Sequence, residues 1–355
     1  MMVWAWFVCG GCPPPLPRRH VCMLAPHNFP CLLIVEKDII TLLSLSLLLS
    51  YGQCECEHRQ IPSSHEARAV PATVSVPTMR GWTALRKATA VTGAGSGIGR
   101  SLCKALARGG ARSVLAIDRD LSAAQATVDQ LISTQKHKGQ QLQHCEFRAV
   151  ECDVTDDSAL RALLSDSAQL DLFAANAGVA TTGGCHDTSP ADWQYAWQLN
   201  VMHIATAAGI LIPPMRARGG GAILITASAA GLLTQLGSAP YTVSKHAAVG
   251  LAEWLAITHG GGVDGVTVTC VCPQGVRTPM IEDMLDGPAR ALALDGLIEP
   301  DDVAVEALQC LEAGTFLCMP GGKKGPAKHV ARKAADRERW IEGMQRLQAK
   351  LSKAV

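Results

Sequence analysis

The sequence predicts one α/β domain in which helices cover both faces of a parallel sheet. Three observations support this fold class. From about residue 85 onward, short apolar segments alternate with helical ones, as in sheets whose strands are connected by helices. A glycine-rich turn follows the first apolar segment. Hydrophobic residues make up 48% of the 355 residues, which is enough to bury a sizeable core.

The predicted elements run in order through a domain at 85–355. Lys87 to Thr92 is a strand because it is a short apolar run closed by glycines, and Ile98 to Arg108 is a helix. Further strands are predicted at 113–118, 147–152, 170–175, 222–227, 266–271 and 315–319, with helices at 121–136, 190–212 and 240–258. An amphipathic helix is predicted at about 330–353. Right-handed crossovers then give a doubly wound sheet.

Residues 1–84 have a different composition, with six of the 14 cysteines. The apolar segment from Ile39 to Tyr51 is shorter than the roughly 20 residues that span a bilayer as a helix. We expect a poorly ordered extension, with Met79 as an alternative start. A membrane anchor and an organelle presequence are the other interpretations. Cys9 and Cys12 have the spacing of half a zinc site, but no matching pair follows, so no metal is expected.

The charge balance bears on possible partners. Lys and Arg total 32 against 31 for Asp and Glu. A chain without a basic excess is not expected to bind nucleic acid, or a membrane through a polybasic patch. We therefore expect a protein that acts on small molecules. Its expected location is the cytoplasm, with membrane or organelle targeting by the N-terminal extension left open.

A glycine-rich turn joins the first strand to the first helix. Glycine allows a tight turn and lets backbone amides approach a pyrophosphate, and the helix N-terminus adds a favourable dipole. The candidate cofactor-binding residues of this turn are Thr92, Gly93, Ser96, Gly97, Ile98 and Gly99. Asp118 ends the second strand, where a carboxylate can bind ribose hydroxyls and repel a 2′-phosphate. This predicts NAD over NADP, although Arg119 beside it is a side chain that can serve NADP.

Several motifs occur in the order typical of the short-chain dehydrogenase/reductase family, which the chain resembles over about residues 85–280. They are Thr92 to Gly99, Asp153-Val154, Ala175-Asn176-Ala177-Gly178, Asn200, Ser228, Tyr241 to Lys245 and Pro273-Gln274-Gly275. The resemblance implies a Rossmann-type fold and NAD(P)-dependent hydride transfer between an alcohol and a carbonyl compound. Gln274 departs from the family pattern, in which a glycine after the proline is more usual.

The candidate catalytic residues are Asn200, Ser228, Tyr241 and Lys245. A tyrosine can accept or donate the alcohol proton if its pKa falls from about 10 toward the working pH. Lys245 lies four residues after Tyr241, so on a helix the two side chains share one face, and its charge is expected to lower the phenol pKa. By resemblance Ser228 bonds the substrate oxygen, and Asn200 holds a water in a proton relay to Lys245. The resemblance also implies that Lys245 binds the nicotinamide ribose.

The resemblance implies further cofactor contacts. Asp153 and Val154 would lie beside the adenine, and Val276 and Thr278 beside the nicotinamide carboxamide. The remaining candidates are Asn176, Ala177 and Gly178, with Tyr241 and Lys245 counted again as cofactor contacts.

The predicted function is interconversion of a secondary alcohol and a ketone by an enzyme with NAD. Leucines 232, 233 and 236 favour a small apolar alcohol or ketone as the substrate. A mobile lid is expected at about 280–300. The alternative is a catalytically silent NAD(P)-binding redox sensor or scaffold. A homo-dimer or homo-tetramer is expected.

Overall fold

The computed structural model describes residues 82–137, 145–167, 169–261, 265–282 and 296–352, and four short strands nearer the N-terminus. The chain divides into the units Met1–Val74 and Ser75–Val355. In the first unit, Cys22–Leu24 pairs antiparallel with Cys31–Leu33, and Val35–Glu36 with Ile39–Ile40. Most of the predicted extension at 1–84, and residues 283–295 of the predicted lid, lie outside the described residues.

The second unit is built on a seven-stranded sheet. Its strands are β1 (Ala88–Thr92), β2 (Ser113–Asp118), β3 (Glu146–Glu151), β4 (Leu172–Ala175), β5 (Gly221–Thr226), β6 (Val266–Val271) and β7 (Leu317–Cys318). Their spatial order is β7-β6-β5-β4-β1-β2-β3, and every pair is parallel. The predicted fold class, a Rossmann-type doubly wound parallel sheet, is confirmed.

Helices connect the strands. They are α1 (Gly97–Arg108), α2 (Leu121–His137), α3 (Asp157–Asp166), α4 (Pro190–Trp197), α5 (His203–Ala217), α6 (Ala239–His259), α7 (Pro279–Glu282), α8 (Pro300–Glu312), α9 (Ala327–Ala335) and α10 (Arg337–Ser352). A π-helical turn, Gln198–Met202, joins α4 to α5, and a 3₁₀ turn, Ala229–Gly231, follows β5.

The prediction of one helix in the C-terminal segment was wrong. A single helix was expected at about 330–353, but two helices meet at Asp336, whose backbone is extended (φ −154°). Its carboxylate accepts the Arg339 N–H at 2.9 Å, which caps the start of α10 because the first amides of a helix have no partner within it. The Lys333 ammonium of α9 donates to the Leu232 carbonyl at 2.8 Å. This bond joins the C-terminal segment to the chain that follows Ser228.

The core lies on both faces of the sheet. Along β4, Phe173 and Ala175 belong to one hydrophobic cluster, whereas Leu172 and Ala174 belong to the other. All four are buried because neighbouring residues of a strand point to opposite faces and helices cover each face. In the described residues no helix combines the length and apolar character needed to cross a membrane.

Phe173 tests how much this core contributes to stability. It is 0% exposed, so Phe173→Ala should lower the free energy of unfolding by about 3–5 kcal/mol, from lost burial and the cavity left behind. Val305→Ala is the control, since Val305 is 45% exposed and should cost less than about 1 kcal/mol. Equilibrium urea denaturation measures both. Equal losses would contradict this description of the core.

Candidate active site

The strand order places a crevice between β1 and β4. The chain winds in opposite directions from these two neighbours, and in open α/β sheets ligands bind at the carboxyl ends of the strands at this point. A cavity of about 460 Å³ lies there. The predicted site residues that line it are Gly93, Ser96, Gly97, Ile98, Asp118, Asp153, Val154, Asn176, Ala177, Gly178, Ser228, Tyr241, Lys245, Val276 and Thr278. The structure therefore brings most of the predicted residues to one cavity.

The glycines between β1 and α1 are required by their surroundings. Gly93 and Gly97 have φ angles of +64° and +47°, which disfavour residues with a Cβ atom. A Cβ on Gly99 would overlap the Gly93 carbonyl oxygen, and one on Gly97 would lie 2.9 Å from Thr278 Cγ2. The first turn of α1 is thus open to the cavity, with backbone amides that a phosphate could approach.

Thr92 and Asn176 fasten this turn to the end of β4. The Thr92 hydroxyl oxygen accepts the N–H groups of Asn176 and Ala177, each at 3.0 Å. The Asn176 amide donates to the Thr92 carbonyl, also at 3.0 Å. Thr92 and Asn176 therefore make structural bonds that hold the two halves of the crevice together.

Asp118 faces the turn across the end of β2. One carboxylate oxygen accepts the Gly95 N–H at 2.8 Å, and the other accepts the Asp120 N–H at 3.1 Å. The neighbouring Arg119 guanidinium donates to the Tyr195 hydroxyl at 3.1 Å. Both Arg119 and Tyr195 line the cavity.

The residues predicted at the two cofactor ends also lie on the cavity. The Asp153 carboxylate accepts the Thr155 N–H at 2.9 Å and its hydroxyl at 2.7 Å, and Val154 is buried beside it. At the other end Val276 pairs with Ile298 as an isolated parallel bridge. Gln274, where glycine is more usual in the family, leaves Val276 and Thr278 at the cavity wall.

Tyr241 and Lys245 share one face of α6. Both are buried, at 9% and 4% exposure, and the Lys245 nitrogen lies 5.8 Å from the centre of the Tyr241 ring. The ammonium donates to the Thr226 carbonyl at the end of β5, at 3.0 Å. The predicted i,i+4 arrangement is therefore present, and it is anchored to the sheet.

Burial dominates the ionisation of both groups. It raises the pKa of Tyr241, while a hydrogen bond with the Ser228 side chain acts in the opposite direction. It lowers the pKa of Lys245 to about 8, against the opposing effect of the Cys270 and Cys272 thiols. The sequence led us to expect a lowered phenol pKa. In the structure the pKa of Tyr241 is raised instead, because the cost of desolvating the phenolate outweighs the hydrogen bond with Ser228.

Ser228 and Asn200 lie near the Tyr241–Lys245 pair. Ser228 starts the 3₁₀ turn, and its hydroxyl oxygen accepts the Ala230 N–H at 3.1 Å. Asn200 lies in the π-helical turn, a feature often found at functional sites. Its amide donates to the Val179 carbonyl and the Ser244 hydroxyl, and its oxygen accepts the Val179 N–H, each at 3.0 Å.

Three contributors were not identified from the sequence. Ser244 connects Asn200 to α6, and Thr226 supplies the carbonyl that binds Lys245. Arg100 bonds the Gly95 carbonyl and donates to the Thr127 hydroxyl at 3.0 Å, which braces the glycine turn. Ser244 directly precedes Lys245, and that position was the one available signal. Over the part of the chain that is described, no group of three His, Cys, Asp or Glu side chains could hold a metal.

The fold and this site define a dinucleotide-binding α/β protein with the residues of an oxidoreductase. The family model for short chain dehydrogenases matches residues 87–288, and the chain belongs to that family.

Known relatives share this class. The chain is 30% identical over 226 residues to meso-2,3-butanediol dehydrogenase of Serratia marcescens, covering 61% of this chain and 84% of the relative. A short chain dehydrogenase/reductase of Burkholderia phymatum, solved in complex with NAD, is 26% identical with a TM-score of 0.61, covering 74% and 95% of the two chains. A dehydrogenase of Beutenbergia cavernae, solved with NADP bound at low occupancy, is 25% identical with a TM-score of 0.57, covering 66% of this chain and 95% of that chain.

Gly99 offers a test of the turn. Gly99→Ala should lower the free energy of unfolding by more than about 1 kcal/mol and weaken NADH binding, because the added Cβ meets the Gly93 backbone. Gly209→Ala is the matched control within α5, where a Cβ meets nothing within 4 Å, and it should be neutral or stabilising by up to about 1 kcal/mol. Urea denaturation and NADH fluorescence report the two quantities. Indistinguishable variants would refute the close-approach explanation.

His203 gives the unit a pH-dependent stability. Burial, and then the charge of Lys245, lower its pKa from 6.5 to about 4. The unfolded chain therefore binds a proton that the folded chain excludes as the pH falls from 6.5 toward 4, and stability is lost in that window, by up to about 3 kcal/mol. His203→Leu should remove much of this slope in unfolding free energies measured at about pH 7 and about pH 4.5. A slope equal to that of the wild type would contradict the assignment.

Proposed function

We propose that this chain is an NAD-dependent enzyme that interconverts a secondary alcohol and a ketone, with Tyr241 as general acid and base. The observation that carries the proposal is the buried Tyr241–Lys245 pair, which opens onto the same cavity as the glycine turn. A domain that only binds a cofactor has no chemical need for a buried phenol beside a buried ammonium.

The proton is handled by the side chains of α6 and its neighbours. In alcohol oxidation, the hydroxyl proton passes to the Tyr241 oxygen as the carbon loses its hydride, and in ketone reduction Tyr241 returns the proton. Bound nicotinamide supplies the acceptor or donor of the hydride. The Ser228 hydroxyl, which acts against the effect of burial on the Tyr241 pKa, would orient the substrate oxygen. The Lys245 charge, 5.8 Å from the ring centre, favours the phenolate.

We assign Asn200 to the proton relay that ends at Lys245. A Cβ placed on Gly178 would lie 3.0 Å from the Asn200 oxygen and 3.2 Å from the Lys245 nitrogen. Both side chains therefore converge on the backbone of Gly178, and the absence of a side chain there leaves room between them. The Asn200 oxygen accepts the Val179 N–H and retains capacity to accept a second hydrogen bond.

The glycine turn fits a pyrophosphate. We propose that the amides of Ser96, Gly97, Ile98 and Gly99 bind it, and that Asp118 binds the adenosine ribose. Asp153 and Val154 would contact the adenine, and Asn176, Ala177 and Gly178 the middle of the cofactor. Val276, Thr278 and Lys245 would hold the nicotinamide end. The Asp118 carboxylate at the cavity supports NAD over NADP, since it repels a 2′-phosphate.

The substrate is proposed to be a small secondary alcohol or ketone. The name of the Serratia relative specifies a small diol, and the segment after Ser228 is apolar, with Leu233 buried. The expected homo-dimer or homo-tetramer stays a prediction. Exposed apolar side chains on the α4–α6 region are its candidate surface, namely Trp197, Met202, Val243, Trp254 and Ile257.

Tyr241→Phe tests the proposed function. The variant keeps the ring and loses the proton-transfer group, so turnover with NAD should fall at least about 100-fold while NADH affinity stays within about twofold. Glu253→Gln, an exposed change on the same helix, is the control and should keep full turnover. NADH formation is followed against a panel of secondary alcohols, with NADH fluorescence for binding.

Two outcomes would contradict the proposal. Turnover by Tyr241→Phe close to that of the wild type would remove Tyr241 from the chemistry. A wild-type protein that binds NADH but converts no alcohol or ketone would instead favour a silent cofactor-binding protein.

A further inference from the structure

Arg119 and its neighbour Asp118 favour different cofactors. A carboxylate at the end of β2 repels a 2′-phosphate, whereas a guanidinium attracts one through paired, charge-assisted hydrogen bonds. Both residues line the cavity. The preference between NAD and NADP therefore depends on where each side chain is held, and the sequence alone does not determine that.

The structure holds the two side chains differently. Asp118 is fixed by the backbone amides of Gly95 and Asp120, so its charge stays at the cavity. The next acid, Asp120, accepts the N–H groups of Ser122 and Ala123 at 2.9 and 3.1 Å. The Arg119 guanidinium extends to the hydroxyl of Tyr195, 76 residues further along the chain, at 3.1 Å.

Tyr195 lies on α4, which enters the cavity wall from the opposite side of the β1–β4 crevice. Its hydroxyl is a neutral acceptor, so it competes with a 2′-phosphate for the same guanidinium. Tyr195 is 37% exposed, and a hydrogen bond in such a setting contributes modestly. It is nevertheless positioned to shift a preference between two cofactors that differ by a single phosphate.

We propose that Tyr195 is a cofactor-specificity residue. By accepting a hydrogen bond from Arg119, it holds the guanidinium across the adenosine end of the cavity and withholds it from a 2′-phosphate. The inference rests on the proposed function, because it requires that the cavity bind NAD(P). It adds that the discrimination against NADP is shared between the repulsion by Asp118 and the restraint of Arg119 by Tyr195.

A double-mutant cycle tests the restraint. Tyr195→Phe keeps the ring and removes only the hydroxyl, so it should release Arg119 and tighten NADPH binding about three- to tenfold, with NADH affinity changed less than about twofold. In the Arg119→Ala background the same Tyr195→Phe change should alter neither affinity. Fluorescence titrations of NADH and NADPH measure all four proteins, and thermal unfolding checks that each is folded.

The outcomes separate this inference from the proposed function. Unchanged or weaker NADPH binding by Tyr195→Phe overturns the inference, as does an equal gain with and without Arg119, because the effect would then not pass through the guanidinium. In both cases wild-type cofactor binding stands. A wild type that binds neither cofactor refutes the proposed function, and the inference with it.

Discussion

A buried ammonium constrains the whole active site. Lys245 is 4% exposed, and its protonated form is costly to remove from water. The Thr226 carbonyl at the end of β5 supplies one hydrogen bond, and the surrounding cavity leaves room for polar ligands. α6 packs against β6 and the 3₁₀ turn after β5, and this packing also places Tyr241 at the cavity.

Close backbone contacts make this packing possible. A Cβ on Gly231 would lie 2.5 Å from the Lys245 carbonyl oxygen, so the 3₁₀ turn after β5 rests directly on α6. Gly178 likewise allows a close approach, because a Cβ there would lie against both Asn200 and Lys245. At the other half of the crevice, Gly99 lets α1 approach the end of β1. Small residues at these three contacts hold the proposed catalytic and cofactor-binding residues on rigid elements, which favours a precise site.

The sequence predicted the sheet well because its strands are short apolar runs closed by turns. Helices α3 and α8 were not predicted, although Asp156 caps α3 by accepting the Ser158 and Ala159 N–H groups. Most of the motif residues line one cavity, but Thr92, Gly99 and Asn200 are not among the residues that line it. The direction of the Tyr241 pKa was wrong, because burial depends on tertiary packing that spacing along a helix does not show. The Arg119–Tyr195 hydrogen bond also could not be predicted from the sequence, since it joins residues far apart in the chain.

The central claim is that the Lys245 charge supports the phenolate of Tyr241, and tyrosinate absorbance tests it most directly. The chain has only three tyrosines, so a pH titration with Tyr241→Phe as the blank isolates one phenol. Because an ammonium 5.8 Å from the ring centre favours the phenolate, and the phenolate in turn favours the ammonium, the Tyr241 phenolate should form in the wild type at a lower pH than in Lys245→Met. The same midpoint in both proteins would contradict the account.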